Sequence, residues 1–285
     1  MSNPVVILGI ESSCDDTGAS VLKGGKIQAN IIANQTVHKE YGGVVPELAS
    51  RAHQQNIVPV VHEALKSANV DKSELSAIAF TKGPGLLGSL LVGTSFAKSM
   101  ALGLNIPLIE INHMKAHVLS HFIELVGEES SKPSFPFLCL TVSGGHTEIV
   151  LVEDYLKMKV IGSTRDDAAG EAFDKAAKTI GLEYPGGPLI DKHAKNGNPL
   201  AYKFPHPKSP EYDYSFSGLK TAFLYFIRDH VGQDSNFVSN NMADICASIQ
   251  HTIVEVLLKK LVQASKDLGI SEIAISGGVA ANSKL

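Results

Sequence analysis

The chain is 285 residues long, 44% hydrophobic and 19% charged, with a net charge of −4. Those figures describe an ordinary globular protein with room for two substantial cores, and they exclude a disordered or collagen-like chain. They also exclude capture of nucleic acid by global charge, which leaves that task to a local patch or to a partner protein.

Cys14, Cys139 and Cys246 are odd in number, far apart and in no Cys-x-x-Cys arrangement, which fits a reducing compartment rather than a disulfide framework. Met1–Pro4 lead straight into an apolar run with no leader pattern, and the longest apolar runs are broken by Gly or charge short of a span. The expected location is the cytoplasm, with no membrane partner.

In chain order, Val5–Ile10, Gly18–Leu22 and Ile27–Ala33 read as strands. Pro46–Ala68 has helical periodicity, with Leu48, Ala52, Ile57, Val60, Val61, Ala64 and Leu65 on one side. Ala77–Thr81 is a strand, Leu86–Leu102 a helix reached through Gly83-Pro84-Gly85, and Pro107–Ile111 a strand before a histidine-bearing helix. Four glycines, Gly83, Gly85, Gly88 and Gly93, suit close packing and turn geometry there. The polar segment Glu128–Pro136 marks a boundary, which divides the chain into residues 1–132 and 133–285. The pattern then restarts with strands at Phe137–Val142, Thr147–Val152 and Lys159–Gly162. Helices follow at Ala168–Ile180 and Asn240–Leu268, and a last strand at Glu272–Ser276. Two similar α/β halves are expected.

His113 and His117 stand four apart after a strand, so a helix puts both imidazoles on one face within reach of one metal ion. The zinc-peptidase helix needs Glu after its first histidine, and Met114 occupies that position, which argues against peptide hydrolysis. His121 continues the stripe, but about 12 Å from His113 along the axis it is too far to share the ion. All three could simply line a half-polar helix face.

Three turns follow apolar strands: Gly9–Gly18, Thr141–His146 and Ser276–Asn282. Small residues let backbone N–H groups approach phosphate oxygens. No Gly-x-x-x-x-Gly-Lys-Ser/Thr sequence is present, so a P-loop is excluded. Asp166 or Asp167 suits the cap of the following helix, whereas Asp174 lies a full turn in and suits a ribose hydroxyl. Tyr184–Pro188 reads as a rigid turn ahead of Asp191. Lys192, Lys195, Lys203 and Lys208, with His193 and His206, form a locally basic stretch that reads either as a solvated loop or as a phosphate contact.

Taken together, several segments resemble one family, the universal tRNA threonylcarbamoyl-adenosine transferases, once misnamed O-sialoglycoprotein endopeptidases, in their bacterial version. They are Gly-Ile-Glu-Ser-Ser-Cys-Asp-Asp-Thr from Gly9, Gly-Gly-Val-Val-Pro-Glu-Leu-Ala-Ser-Arg from Gly42, the histidine pair and Val-Ser-Gly-Gly-His-Thr from Val142. The run Asp166–Lys175, Tyr-Pro-Gly-Gly-Pro from Tyr184 and Ser-Phe-Ser-Gly-Leu-Lys-Thr from Ser215 complete the likeness.

The resemblance implies the actin-like superfold of sugar kinases and heat-shock ATPases, two α/β halves with a cleft between them. It implies that His113 and His117 ligate one divalent metal ion, iron or zinc. It implies that Thr141, Val142, Ser143, Gly144, Gly145, Asp174, Gly187, Asp191 and Asn282 hold L-threonylcarbamoyl-adenylate. The product is N6-threonylcarbamoyladenosine beside the anticodon of tRNAs reading codons that begin with A. Implied partners are tRNA, a second actin-like subunit without the metal motif, and a small P-loop ATPase. The family's third metal ligand is an Asp beyond the Asn282 turn, in a segment that folds back onto the first half. The chain stops at Leu285, so either the sequence is truncated, which is the expectation, or the metal keeps two protein ligands and takes more water or substrate oxygens. Asp15 and Glu11 are the candidate bases for the attacking amine, and either can equally serve to fix its turn. The alternative is an actin-like kinase or ATPase acting on a small molecule, from which an imidazole pair differs because Mg²⁺ prefers carboxylates and water.

Overall fold

The computed structural model describes residues 4–35, 38, 41–125 and 132–285. Met1–Asn3 and residues 128–131 of the expected boundary segment lie outside the described residues. The chain divides into two compact units, Met1–Lys132 and Pro133–Leu285.

In the first unit, β1 (Val6–Glu11) alternates, with Val6, Leu8 and Ile10 buried and the residues between them half-buried. That alternation is the signature of a strand with one face on a core. β2 (Asp16–Lys23) pairs antiparallel with β1 and with β3 (Lys26–Asn34). After α1 (Pro46–Ser67), β4 (Ala77–Gly83) returns parallel to β1. α2 (Leu87–Leu104) then leads to β5 (Leu108–Asn112), parallel to β4, and α3 (His113–Leu119) follows at once. A short β6 (Glu124–Leu125), not expected from the sequence, joins β3. The sheet order is β5-β4-β1-β2-β3-β6. Ile57, Val60, Val61 and Ala64 of α1, which lies against β2 and β3, and Ala97 and Ala101 of α2, which lies against β4, join Val6, Leu8 and Ile10 of β1 in one core.

α2 buries small residues, Ser89, Gly93, Ala97 and Ala101, and leaves Leu87, Leu91 and Leu102 exposed. A Cβ on Gly93 would run into Ser12, so glycine is what lets this helix lie against the β1 turn. By length and composition α2 is long enough and apolar enough to cross a membrane, contrary to the reading of broken apolar runs. The glycines and serines that break it are nearly neutral in transfer, and Lys98 is its single charge.

In the second unit all six residues of β7 (Phe137–Val142) are buried. β7 pairs antiparallel with β8 (Thr147–Val152), which pairs with β9 (Met158–Ser163). The helices are α4 (Ala169–Thr179), α5 (Gly186–Ala194), α6 (Ser217–Val231) and α7 (Phe237–Leu268). β10 (Ile273–Ser276) closes the sheet parallel to β7, in the order β10-β7-β8-β9. Phe173, Ile190, Phe216, Phe223 and Leu257 are among the core residues.

Three local readings change. Tyr184–Pro188 is not merely a turn, because α5 begins at Gly186 and its first N–H groups are taken by Asp174, Gly186 N to Asp174 Oδ1 at 2.8 Å. α6 was not expected, although Leu219, Phe223 and Ile227 recur at helical spacing. Asp166 does not cap α4. Its Oδ1 accepts from Phe216 N at 2.7 Å and Ser217 N at 3.2 Å, and its Oδ2 from Ser215 Oγ and Ser217 Oγ, so it starts α6 instead. Thr147 Oγ1 accepts the Ala169 N–H at the head of α4, and Asp167 pairs with Lys175 at 2.8 Å.

Candidate active site

The parallel strands β1, β4 and β5 carry Glu11, Thr81 and Asn112 at or near their C-terminal ends, where open α/β sheets place ligands. Asn112 caps α3, its Oδ1 accepting from Lys115 N at 3.0 Å, and so starts the helix at His113 itself. One turn on, His117 Nε2 lies 3.1 Å from His113 Nε2.

The rings meet edge to face, with centroids 4.7 Å apart. Two imidazole nitrogens bound side by side to one ion at about 2.1 Å each stand about 3.0–3.4 Å apart, so the pair already has the bite of a metal site. The other nitrogen of His113 is also engaged. Nδ1 is 3.3 Å from Glu11 Oε2 and 3.2 Å from Ser13 Oγ. A carboxylate on Nδ1 selects the tautomer whose Nε2 lone pair is open to a cation. Among the described residues no group of three or more His, Cys, Asp or Glu is arranged to hold a metal. His113 and His117 are the neighbouring imidazoles of this unit.

Glu11 is thoroughly committed. Oε2 also accepts from Thr81 Oγ1 at 2.6 Å, and Oε1 accepts the Ser13 N–H. Burial pushes its carboxyl up, but hydrogen bonds from His113, Ser13 and Thr81 outweigh that and hold it down at about 2. Around it the Ser12–Thr17 turn is tied at nearly every residue. Ser12 Oγ donates to Ser89 O at 2.9 Å, and Ser89 Oγ to Cys14 O at 3.2 Å. The fully buried His53 spans Thr17 Oγ1 at 2.7 Å and Cys14 O at 3.0 Å. Sequence reading missed His53, whose signal was a lone histidine on the buried side of α1. Asp15, half-buried, lies in this turn just before β2. Burial and the neighbouring Asp15 raise the Asp16 carboxyl.

In the second unit β7 and β10 are parallel neighbours, so the turns after them emerge side by side. Thr141 and Val142 are fully buried in β7; Ser276 Oγ bonds Thr141 Oγ1 at 3.2 Å. The turn beyond closes on itself, Ser143 N donating to His146 O at 2.8 Å and His146 N to Ser143 Oγ at 3.1 Å. Gly144 and Gly145 are exposed, and a Cβ on either would meet nothing within 4 Å. Their backbone is open to a ligand. Gly170 of α4 docks beneath, donating its N–H to Ser143 O at 3.2 Å.

Asp174 joins α4 to α5 through Gly186 and Gly187, the latter at 3.4 Å. Asp191 Oδ1 accepts from Ser283 N at 3.3 Å and Ser283 Oγ at 2.7 Å. Asn282 donates from Nδ2 to Gln250 Oε1 at 3.0 Å and accepts from Lys284 N. The nine second-unit positions singled out in the sequence thus belong to one connected neighbourhood. Within it Asp174, Asp191 and Asn282 already hold α5 and the final turn in place.

The sequence profile of the family described as TsaD, tRNA N6-adenosine threonylcarbamoyltransferase, matches residues 26–285. A protein of that name from Christiangramia forsetii is 66% identical over 277 residues, 97% of this chain and 81% of the relative. One from Porphyromonas gingivalis is 61% identical over 285 residues, 100% of this chain and 84% of the relative. Among solved structures, component A of Acidaminococcus fermentans (R)-2-hydroxyglutaryl-CoA dehydratase superposes with a TM-score of 0.53 at 15% identity, covering 99% of this chain and 85% of that one. That likeness concerns the fold, which is actin-like. By profile and by identity, the chain belongs to the tRNA N6-adenosine threonylcarbamoyltransferase family.

Proposed function

We propose that this chain moves the threonylcarbamoyl group of L-threonylcarbamoyl-adenylate onto N6 of the adenosine 3′ of the anticodon, in tRNAs reading codons that begin with A. The observation that carries the reading is the His113–His117 pair, with its Nε2 atoms 3.1 Å apart and Glu11 on the far side of His113. A kinase or ATPase of the same fold has no use for that pair, and the family match does not favour one.

His113 and His117 would hold one divalent ion, iron in preference to zinc. Such an ion supplies Lewis-acid polarisation of an acyl or phosphoryl oxygen. The donor is a mixed anhydride and already activated, so the chain's own work is to orient it and receive charge. The backbone of Ser143–Gly145 faces the phosphate and stabilises the charge that AMP carries away. Asp174, Asp191 and Asn282 act through the α5 start and the last turn, and Gly187 offers backbone against the nucleoside. The N6 amine attacks the carbamoyl carbon, the C–O bond to the phosphate breaks, and the amine proton passes to a base. Asp15 is the base in this reading; Glu11 fixes the His113 tautomer. Cytoplasmic location, a second actin-like subunit without the histidine pair, and a small P-loop ATPase complete the proposal, all by family resemblance.

Reconstitution with those partners, the adenylate-forming enzyme, threonine, bicarbonate and ATP should yield N6-threonylcarbamoyladenosine by mass spectrometry of tRNA nucleosides. Asp15→Asn should lower the yield about 100-fold without loss of adenylate binding. Product formation at the wild-type rate by that variant would remove Asp15 from the mechanism.

A further inference from the structure

The 17 residues from Lys192 to Lys208 contain four lysines, two histidines and no carboxylate, in a chain whose net charge is −4. Lys192 lies in α5; from Lys195 to Asp213 the chain carries no helix or strand. It is nonetheless fastened along α7. Asn198 N donates to Asp244 Oδ1 at 2.7 Å, and Tyr202 N to Ser248 Oγ at 3.1 Å. His206 Nε2 is 3.3 Å from Glu255 Oε2, and Lys260 Nζ donates to Ser209 O at 2.9 Å. Phe204 is buried and packs its ring edge-on to Phe223 and Phe226. The strap therefore presents its lysines from a fixed backbone, without the ordering cost of a loose loop.

Lys192, Lys195, Lys203 and Lys208 are all exposed, and among the described residues none of them forms an ion pair. The carboxylates alongside are engaged: Asp244 by Asn198, Glu255 by His206 and His251, and Asp191 by Ser283. Asp191 immediately precedes Lys192, so one end of the basic run starts at the neighbourhood proposed to hold the nucleotide.

We propose that this strap is the surface on which the chain contacts the backbone phosphates of tRNA. The inference rests on the proposed function for its ligand. Phosphate contacts position a nucleic acid without reading its sequence, and unpaired lysines on a rigid support suit that task. The uncompensated charge is concentrated where a chain that is acidic as a whole most needs it.

The test replaces Lys192, Lys195, Lys203 and Lys208 together by Gln, and in a second protein by Arg. Lys66→Gln/Lys157→Gln serves as the control, since both of those lysines pair with glutamates of their own helix or strand end. Binding of tRNA to each full chain is followed by fluorescence anisotropy between about 50 and 200 mM salt. The Gln protein should lose about 3 from the slope of log K against log salt, at about 0.7–0.9 per phosphate contact. Its KM for tRNA in the reconstituted reaction should rise at least about tenfold, with kcat and AMP affinity unchanged, and the Arg protein should behave as wild type. An unchanged slope and KM in the Gln protein would overturn the inference while leaving the proposed reaction standing. So would failure of the wild-type chain to bind tRNA at the lowest salt. Failure of the wild-type complex to form the modified nucleoside, with tRNA binding intact, would instead count against the proposed reaction.

Discussion

The turn after β1 and the turn after β7 occupy equivalent places in two similar sheets, yet they are built in opposite ways. The first is a lattice of side chains: Glu11, Ser12, Ser13, Thr17, His53, Thr81 and Ser89 fix one another, and Glu11 hands that order on to His113. The second is nearly bare backbone, closed by Ser143 and His146, with two glycines facing open space. Side-chain lattices fix the direction of a lone pair, which a metal ligand requires. Open backbone offers N–H groups at short range, which a phosphate requires.

The contrast is broken most forcefully at the histidines. His117→Ala should cut threonylcarbamoyl transfer at least about 100-fold and abolish tight metal binding, with an unchanged melting temperature. Wild-type metal stoichiometry in that variant, by elemental analysis, would end the assignment. Glu11→Gln is the next largest. It keeps the shape but weakens the hold on His113, and should reduce the affinity for Zn²⁺ by about 10- to 100-fold in calorimetry, leaving AMP binding alone.

The second turn, and the turn after β10 that emerges beside it, should respond to added atoms instead. Gly277 has φ +92° and a Cβ there would strike Val142 O, so Gly277→Ala should destabilise the protein by about 2 kcal/mol in urea unfolding. Gly144→Ala meets no protein atom, so it should unfold like wild type while binding AMP about fivefold more weakly. Equal stability of the two alanine variants would show that the glycines are not divided between packing and ligand approach. The smallest effect concerns Cys14. Burial pushes its thiol up to about 12, with Asp15 adding to the shift. Alkylation by iodoacetamide at pH 8 should therefore be slow, and Asp15→Asn should speed it a fewfold.

Much of this architecture was readable from periodicity and glycine placement. β1, β4, β7, β8, α1, α2 and α4 fall within a residue or two of where apolar spacing puts them. α5 and α6 escaped because their first N–H groups are satisfied from far away, by Asp174 and by Asp166, 12 and 50 residues upstream. A local reading sees Gly-Gly-Pro or Ser-Phe-Ser-Gly and finds no cap. The histidine pair was legible because helical spacing alone brings it together. Glu11 was legible as an important carboxylate but not as the partner of a histidine 102 residues away, since strand adjacency is settled only by the sheet order. The family likeness supplied what spacing could not, namely the expectation of which residues meet the nucleotide and of tRNA as the substrate.

β7 has a consequence for biosynthesis. Its six buried residues form a sheet interior only when β10 arrives on one flank, and the register joins Leu138 to Ile273. At a synthesis rate of about 5–20 residues per second, the ribosome leaves that flank unpaired for roughly 7–27 s. An apolar strand edge exposed for so long is a natural client for a holding chaperone, and its first half has ample time to fold before the second can.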